Sequence, residues 1–160
     1  MNSLLVSDIT SCIERFAPLA LQEGYDNSGL QVGNLLSNVE SVMLTVDITE
    51  EVIEEAIAKG IDMVIAHHPL IFSGLKRLTG KSEVERIVEK AIKHNVCIYA
   101  SHTNLDIANN GVSFKMGEKL GLKKLKVLEP LDDRLQKIVV FVPNAHLEAV
   151  RQAMFDAGAG

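Results

Sequence analysis

The chain has 160 residues, of which 47% are hydrophobic, so it can bury one substantial core but has little room for a second complete domain. Its 16 Lys and Arg residues and 21 Asp and Glu residues give a net charge of -5. Because it has no Trp, only 4% aromatic residues and no basic run interleaved with aromatics, no nucleic-acid partner is expected.

The amino-terminal segment is interrupted by polar and charged residues, which argues against a secretory signal. The longest apolar runs, such as Met63–Ala66 and Ile138–Val142, are far shorter than the roughly 20 residues that cross a bilayer. We therefore expect a cytoplasmic protein without a membrane partner. In that compartment Cys12 and Cys97 are predicted to be small buried side chains and not a disulfide.

Apolar spacing predicts helices and strands in regular alternation. In chain order they are a helix at Val6–Phe16, a short strand near Leu30–Val32, a strand at Val42–Val46, a helix at Glu50–Ala58, a strand at Met63–Ala66, a helix at Ser82–His94, a strand at Val96–Ala100, a helix at Gly111–Leu120, a strand at Lys137–Val142 and a helix at Ala145–Asp156. Ser7 or Asp8 is predicted to cap the first helix, and Thr49 the second, which Gly60 ends.

The order of these elements predicts the fold class. Strands that alternate with helices form right-handed crossovers, so we expect an α/β fold with a mostly parallel sheet and helices on both faces. Pro130, Asp132 and Asp133 mark a change in composition. We place a boundary there, between an amino-terminal α/β half at 1–130 and the beginning of a separate domain at 131–160.

A pair of histidines, His67 and His68, directly follows the predicted strand at Met63–Ala66. In open α/β sheets, ligands bind beyond the carboxyl ends of the parallel strands, so the pair lies where a site is expected. The chain turns as it leaves a strand, and two consecutive imidazoles can then diverge around one cavity, which suits two metal ions better than one. Pro69 keeps the backbone of His68 extended. The alternative is a hydrogen-bonded core histidine beside an exposed one.

A second polar cluster, His102, Asn104 and Asp106, follows the strand at Val96–Ala100. Adjacent strands lie roughly 4.8 Å apart, so the ends of two neighbouring strands converge on one crevice. Asp106 can then supply a carboxylate that bridges two ions. For His102 three roles are open: a further ligand, a partner of a ligand, or the group that transfers protons. Alternatively, Asp106 and Asn104 only cap the turn before the next helix.

Other polar residues give weaker indications. The loop at Tyr25–Gly33 is predicted either to border a ligand crevice or to form a tight turn, and Asp47 is equally ambiguous. His94 and His146 are expected to be solvated residues on helix surfaces or ends. The sequence has no GxGxxG, P-loop, GxSxG or CxxC pattern, which argues against nucleotide-binding folds of those types, serine hydrolases and zinc ribbons.

Four motifs follow one another along the chain. They are YDNSGLQVG at Tyr25–Gly33, TVDIT at Thr45–Thr49, AHHPLIF at Ala66–Phe72 and YASHTNLD at Tyr99–Asp106. Together they resemble the NIF-three-like family, whose bacterial members are commonly labelled homologues of GTP cyclohydrolase one, type two. The resemblance extends from the first helix to the region of Leu128.

The resemblance implies a dinuclear centre of two divalent metal ions, with His67, His68 and Asp106 as this chain's ligands. Imidazole and carboxylate ligands suit zinc, iron or manganese. The family completes the site with a histidine and a glutamate in an HxxxE arrangement from a carboxyl-terminal half, and the sequence ends before such a motif. Residues 131–160 resemble the truncated start of a ferredoxin-like insert, so we expect a piece of a longer protein.

The family also forms toroidal homohexamers with the metal sites facing an internal cavity. From the resemblance we expect a metal-dependent hydrolase of an unidentified small molecule or nucleotide, with GTP cyclohydrolase-like activity and His102 as the catalytic proton-transfer residue. One alternative is a non-catalytic metal-binding scaffold or regulatory protein. A second is a purely structural α/β domain.

Overall fold

The computed structural model describes residues 4–128 and 138–159. The chain divides between Leu125 and Lys126 into two compact units. In the first unit the elements are β1 (Leu4–Leu5), α1 (Val6–Phe16), β2 (Gly29–Val32), β3 (Asn38–Val39), β4 (Val42–Thr45), α2 (Glu50–Ala58), β5 (Met63–Ala66), α3 (Glu83–Lys93), β6 (Cys97–Ala100), α4 (Thr103–Ile107) and α5 (Val112–Lys119). A short 3-10 helix at Leu19–Leu21 follows α1.

The main sheet of the first unit has the strand order β2-β6-β5-β4. β4, β5 and β6 are parallel, and β2 pairs with β6 in the antiparallel direction. A separate antiparallel pair joins β1 to β3. The mostly parallel sheet that the alternating pattern predicts is therefore confirmed, with β2 as its one antiparallel strand.

Two apolar cores lie on opposite faces of this sheet, because consecutive strand residues point to opposite sides. Within β5, Val64 belongs to the core under α2 and α3, whereas Met63 belongs to the core under α1. The core under α2 and α3 consists of Val32, Ile53, Ala56, Val64, Ile87, Val88, Ala91, Val96 and Ile98. The core under α1 consists of Val6, Val39, Met63, Cys97 and Tyr99. The helices therefore cover both faces, as the sequence predicts.

The predicted boundaries agree closely with the structure, but some details differ. Thr49 caps α2 as predicted, since its hydroxyl accepts a hydrogen bond from the Val52 amide at 3.3 Å. Neither Ser7 nor Asp8 is the N-cap of α1, which begins after Leu5; the Asp8 carboxylate instead accepts the Leu5 amide from within the first turn. Cys12 is exposed, because it lies on the outer side of α1, so its predicted burial is wrong, whereas Cys97 is buried.

The second unit contains a 3-10 helix at Asn144–His146 and α6 at Leu147–Asp156. The predicted helix is confirmed. The predicted strand is wrong for its described residues, 138–142, which have no regular structure and include the almost fully exposed Phe141. Pro130, Asp132 and Asp133 lie outside the described residues, and the domain boundary placed there stays a prediction. Across both described ranges, every helix is too short or too polar to span a bilayer.

β4 forms an edge of the main sheet, and one of its faces is uncovered. Met43 packs against the core under α2 and α3, while Val42 and Leu44 on the other face are 39% and 76% exposed. Natural proteins seldom leave a row of exposed apolar side chains on an edge strand. This face of β4 is therefore an apolar surface in the first unit.

Gly33 follows β2 with a φ of 115°, and a Cβ there would lie 2.4 Å from the Cys97 sulfur. We expect Gly33→Ala to lower the free energy of unfolding by about 2–5 kcal/mol, because backbone strain and overpacking add together. Gly60→Ala is the matched control: its φ is 64°, no atom lies within 4 Å of the added carbon, and the expected loss is about 1–2 kcal/mol. Urea unfolding measures both, and equal losses would contradict the close contact.

Glu85 makes stability depend on pH. Hydrogen bonds from the amide and hydroxyl of Thr79, at 2.7 and 2.9 Å, are the largest causes that lower the pKa of Glu85 from 4.5 to about 2. Because the folded-state pKa is depressed, the stabilisation is complete above pH 4.5 and disappears as the pH falls towards 2. The melting temperature of Glu85→Gln should therefore lie below that of wild type at pH 7, and the difference between the two should decrease as the pH falls through 4 and 3. The exposed Glu83→Gln should show no such narrowing gap.

Candidate metal centre

The candidate site lies at one edge of the main sheet, where three parallel strands end together. Thr45, Ala66 and Ala100 are register partners across β4, β5 and β6, and Gly29 at the start of β2 pairs with Ala100. The loops that leave these positions therefore begin side by side. The prediction that the ends of the two histidine-bearing strands converge is confirmed.

Three imidazoles meet at this edge. The ring centroids of His67 and His68 are 5.0 Å apart, and those of His67 and His102 are 5.3 Å apart. The third pair, His68 and His102, is separated by 5.6 Å. One ring nitrogen from each residue can be chosen so that all three lie within 4.8 Å of one another, and the three histidines could hold a metal ion.

Each imidazole is fixed through its Nδ1 atom by a different oxygen. His67 Nδ1 donates to the carbonyl of Ser101 at 2.9 Å. His68 Nδ1 donates to the Asp47 carboxylate at 2.7 Å, and His102 Nδ1 donates to the Asp26 carboxylate at 2.9 Å. Because the proton resides on Nδ1, the Nε2 lone pair of each ring is left for another partner. Outer oxygens arranged in this way orient metal-binding histidines and fix their tautomer.

Of the two outer carboxylates Asp26 is the buried one, with a side chain that is 0% exposed, whereas that of Asp47 is 66% exposed. Burial raises the pKa of its carboxyl, but hydrogen bonds from Thr103, His102 and Asn27 lower the pKa by more. The pKa therefore lies well below its ordinary value of 3.8. The hydroxyls of Ser28 and Thr103 and the Thr103 amide also donate to it. Asp26 is thus a permanently charged acceptor beneath the His102 ring.

Asp106 lies on α4, a helix that the sequence patterns did not predict. Its Oδ1 atom is 3.7 Å from His67 Nε2, and its side chain is 35% exposed. Asn104, two residues earlier, has a structural role: its side chain is fully buried, accepts the His102 amide at 2.9 Å and donates to the Ala17 carbonyl at 2.8 Å. α5 begins after Gly111 without a side-chain cap, so the capping alternative is wrong for Asn104, which instead holds the start of α4. Asp106 lies close to His67.

Hydrogen bonds connect the loop at 25–28 to the segment that follows the histidine pair. The Ile71 amide donates to Gln31 Oε1 at 3.0 Å, and Asn27 Nδ2 donates to the Ile71 carbonyl at 2.5 Å. Tyr25 and Phe72 consequently lie next to each other, with ring centroids 6.4 Å apart. The loop at Tyr25–Gly33 thus borders the site, which was one of its two predicted interpretations.

The donor set fits a divalent metal. Imidazole nitrogens bind zinc and similar ions at about 2.0–2.1 Å and carboxylate oxygens at about 2.0–2.2 Å, so two ligands of one ion lie at most about 4.3 Å apart. The 3.7 Å between His67 Nε2 and Asp106 Oδ1 falls within this limit.

The structure brings together all four residues singled out by the sequence: His67, His68, His102 and Asp106. Their assignment as ligands or catalyst stays a prediction. Sequence reasoning did not single out Asp26 within the loop at Tyr25–Gly33, because its contact with His102 spans 76 positions of the chain. His94 and His146 are exposed on helix ends, as expected.

Comparison with known proteins identifies the family. The model of the Duf34/NIF3 (NGG1p interacting factor 3) family matches residues 4–157. The chain belongs to this family. The four motifs from Tyr25 to Asp106 lie within the matched range, so the resemblance drawn from them is confirmed, and the three clustered imidazoles lie in a Duf34/NIF3 chain.

Curated relatives of this Duf34/NIF3 chain are longer than it is. Proteins from Bacillus subtilis (strain 168) and Halalkalibacterium halodurans, both named GTP cyclohydrolase 1 type 2 homolog, are each 44% identical to it over 153 residues. The match covers 95% of this chain but 41% of each relative. The chain therefore spans about two-fifths of the length of these relatives.

Solved structures show the same fold. The Bacillus cereus protein related to NIF3 superimposes with a TM-score of 0.76 and 39% identity, over 100% of this chain and 44% of that one. Reduced HcgD from Methanocaldococcus jannaschii gives a TM-score of 0.74 and 32% identity, over 81% and 52% of the two chains. The predicted α/β class is confirmed by this similarity to Duf34/NIF3 structures.

The buried carboxylate of Asp26 should matter more for folding than the exposed one of Asp47. We expect Asp26→Asn to lower the free energy of unfolding by about 1.5–3 kcal/mol, because charge-assisted hydrogen bonds from Thr103 and His102 are lost. Asp47→Asn, whose carboxylate is 66% exposed, should cost less than about 1 kcal/mol. Thermal and urea unfolding of both variants test this, and an equal cost would contradict the buried network.

Proposed function

We propose that the chain contributes to a metal-dependent hydrolase that acts on a small molecule or nucleotide. The observation that supports it best is a set of three imidazoles. Each ring donates its Nδ1 proton to an oxygen of the protein, so the lone pair of its Nε2 atom is available to a ligand. Asp106 adds a carboxylate oxygen 3.7 Å from His67 Nε2. A purely structural domain has no need for three oriented rings and a carboxylate around one space.

His67, His68 and Asp106 are proposed as the ligands of two divalent ions, zinc, iron or manganese. When bound, such ions polarise the bond under attack and make water a better nucleophile at neutral pH. The protein's own part is to orient the rings: the Ser101 carbonyl and the Asp47 carboxylate keep His67 and His68 in the tautomer that presents Nε2. Asp106 would supply the carboxylate among these ligands.

His102 is proposed as the residue that moves protons. Its Nδ1 proton is held by the buried Asp26 carboxylate, which stabilises a positive charge on the ring when Nε2 accepts a proton. Its ring is 19% exposed, so Nε2 can reach a substrate in the shared space. The pairing of a buried carboxylate with a partly accessible imidazole supports this role over a purely structural one.

The reaction and assembly are proposed for the whole protein. Because relatives carry the name GTP cyclohydrolase 1 type 2 homolog, we propose ring-opening hydrolysis of GTP as the first reaction to test. We propose a cytoplasmic homo-oligomer, a hexamer as the family resemblance implies, and an insert that begins at 131–160.

A second candidate function is a metal-binding scaffold or regulatory protein without turnover. The side chains of His68 and Asp47 are 49% and 66% exposed, so this side of the site is open. An open rim leaves room for another chain to complete the coordination of the ions, which would then stabilise an assembly of chains. Removal of metal would then change oligomer size and melting temperature, and no reaction would be lost.

The test compares the intact wild-type protein with His67→Ala and Asp106→Ala, and uses the exposed His94→Ala as the control. Bound zinc, iron and manganese are measured by mass spectrometry, and GTP ring-opening by product chromatography. We expect both site variants to lose metal and more than about 100-fold of the activity, since the outer partners of ligands alone account for about 10–100-fold. His94→Ala should match wild type.

Two other outcomes decide between the candidates. If wild type binds metal but opens no ring, and if metal removal changes only oligomer size and melting temperature, the scaffold function replaces the hydrolase. If both site variants retain wild-type metal content and activity, the imidazole cluster has no metal role and the proposal fails.

A further inference from the structure

Two large aromatic side chains are exposed beside the imidazole cluster. Tyr25 is 67% exposed and Phe72 is 50% exposed, in a chain that has only 2 Tyr and 5 Phe residues. Their ring centroids are 6.4 Å apart and their planes are inclined by 48°. We call these two residues the aromatic pair. Because each side chain is at least half exposed, part of the surface of the pair is uncovered among the described residues.

The aromatic pair is held in place by hydrogen bonds of its own loops. Asn27 Nδ2 donates to the Ile71 carbonyl, and the Ile71 amide donates to Gln31 Oε1 at 3.0 Å. Asp26, next to Tyr25, is fixed by the Thr103 amide at 3.0 Å. An exposed pair on two such connected loops is preorganised, which reduces the entropy lost when a ligand binds.

The aromatic pair also lies within reach of the imidazoles. Tyr25 directly precedes Asp26, whose carboxylate holds the His102 ring at 2.9 Å. Phe72 follows His68 by four residues, a separation of at most about 14 Å of extended chain. The chain therefore limits the distance between the aromatic pair and the imidazoles to one that a small molecule can span.

The geometry of the pair restricts what it can bind. Centroids 6.4 Å apart already lie at contact distance for two aromatic rings, so no third ring fits between them. A flat ring can instead stack on the exposed surface of either residue. Such stacking tolerates many rings, because every base has a π face, and it contributes enough to be measured for a single aromatic residue.

We infer that Tyr25 and Phe72 form a stacking platform for a planar heteroaromatic ring of the substrate and so determine substrate class. This inference rests on the proposed function. The ring lies on the aromatic pair, and the bond to be hydrolysed lies at His67, His68 and His102. The platform recognises flatness and π character, so saturated sugars and their phosphates bind poorly.

The charge near the platform guides the choice of probes. Lys76 and Arg77 follow Phe72 closely, are exposed, and form no ion pair with any residue in the described ranges. A phosphate on every probe keeps this electrostatic contribution constant. The probes are the four common nucleoside 5′-monophosphates and ribose 5-phosphate, which differ in the presence of a ring.

The experiment measures the affinity of these five probes for the intact protein by calorimetry, with metal bound and after chelation. The variants are Tyr25→Leu and Phe72→Leu, and Tyr25→Phe tests whether the ring alone is sufficient. Phe155→Leu is the matched control, since Phe155 is 53% exposed on α6. Melting temperature and oligomer size are recorded for each variant.

We expect at least one nucleotide to bind more tightly than ribose 5-phosphate in wild type. Tyr25→Leu and Phe72→Leu should each weaken that nucleotide by about tenfold. Tyr25→Phe should stay within about twofold of wild type, because the phenyl ring still stacks. Phe155→Leu should leave every affinity unchanged, and no variant should change the affinity for ribose 5-phosphate.

Three results would overturn the platform. The first is that no nucleotide binds more tightly than ribose 5-phosphate. The second is that the two leucine variants bind nucleotides like wild type. The third is that these variants change oligomer size while nucleotide affinity stays intact, which would mean that protein covers the pair. Ring binding after chelation tests the platform without turnover. If the protein hydrolyses its substrate with metal but binds no ring, only the platform is wrong. If it binds the ring but metal has no role, only the proposed function is wrong.

Discussion

The register of the parallel strands is the constraint on which the candidate metal centre depends. Thr45, Ala66 and Ala100 end level with one another because the two apolar cores hold β5 with Met63 on one face and Val64 on the other. A slip of one residue would exchange these faces and bury the wrong side chains. Packing far from the imidazoles thus determines where the imidazoles lie.

Around that fixed edge, the oxygens that hold the rings come from distant parts of the chain. Asp26 precedes β2, Asp47 follows β4, and the Ser101 carbonyl follows β6. Each connects a loop to a histidine on a different loop, so the contacts orient the rings and also join the loops. Asp26, the buried one of the two carboxylates, receives enough hydrogen bonds to remain charged despite its burial. Local order and ring orientation therefore have a common cause.

The sequence predicts the four strands of the main sheet, most helix boundaries and the meeting of His67, His68 and Asp106, because each depends on short apolar runs and on the rule for parallel strand ends. It does not predict the short pair formed by β1 and β3. It does not predict Asp26, whose partner lies on another loop and whose neighbours are ordinary turn residues. The helix α4 is also missed, since its sequence, TNLDI, is too short to show a helical period. The strand near Ile138 is wrong because an apolar run alone does not supply a neighbouring strand.

The uncovered face of β4 has a practical consequence for anyone who prepares this chain. Among the described residues no strand pairs with the outer side of β4, which has neither lysine nor proline, and Leu44 at 76% exposure adds an apolar contact for a strand of another molecule. Concentrated samples are thereby disposed to aggregate through β4. Leu44→Lys would place a charge on that edge, as many natural sheets do, and would leave every imidazole contact in place.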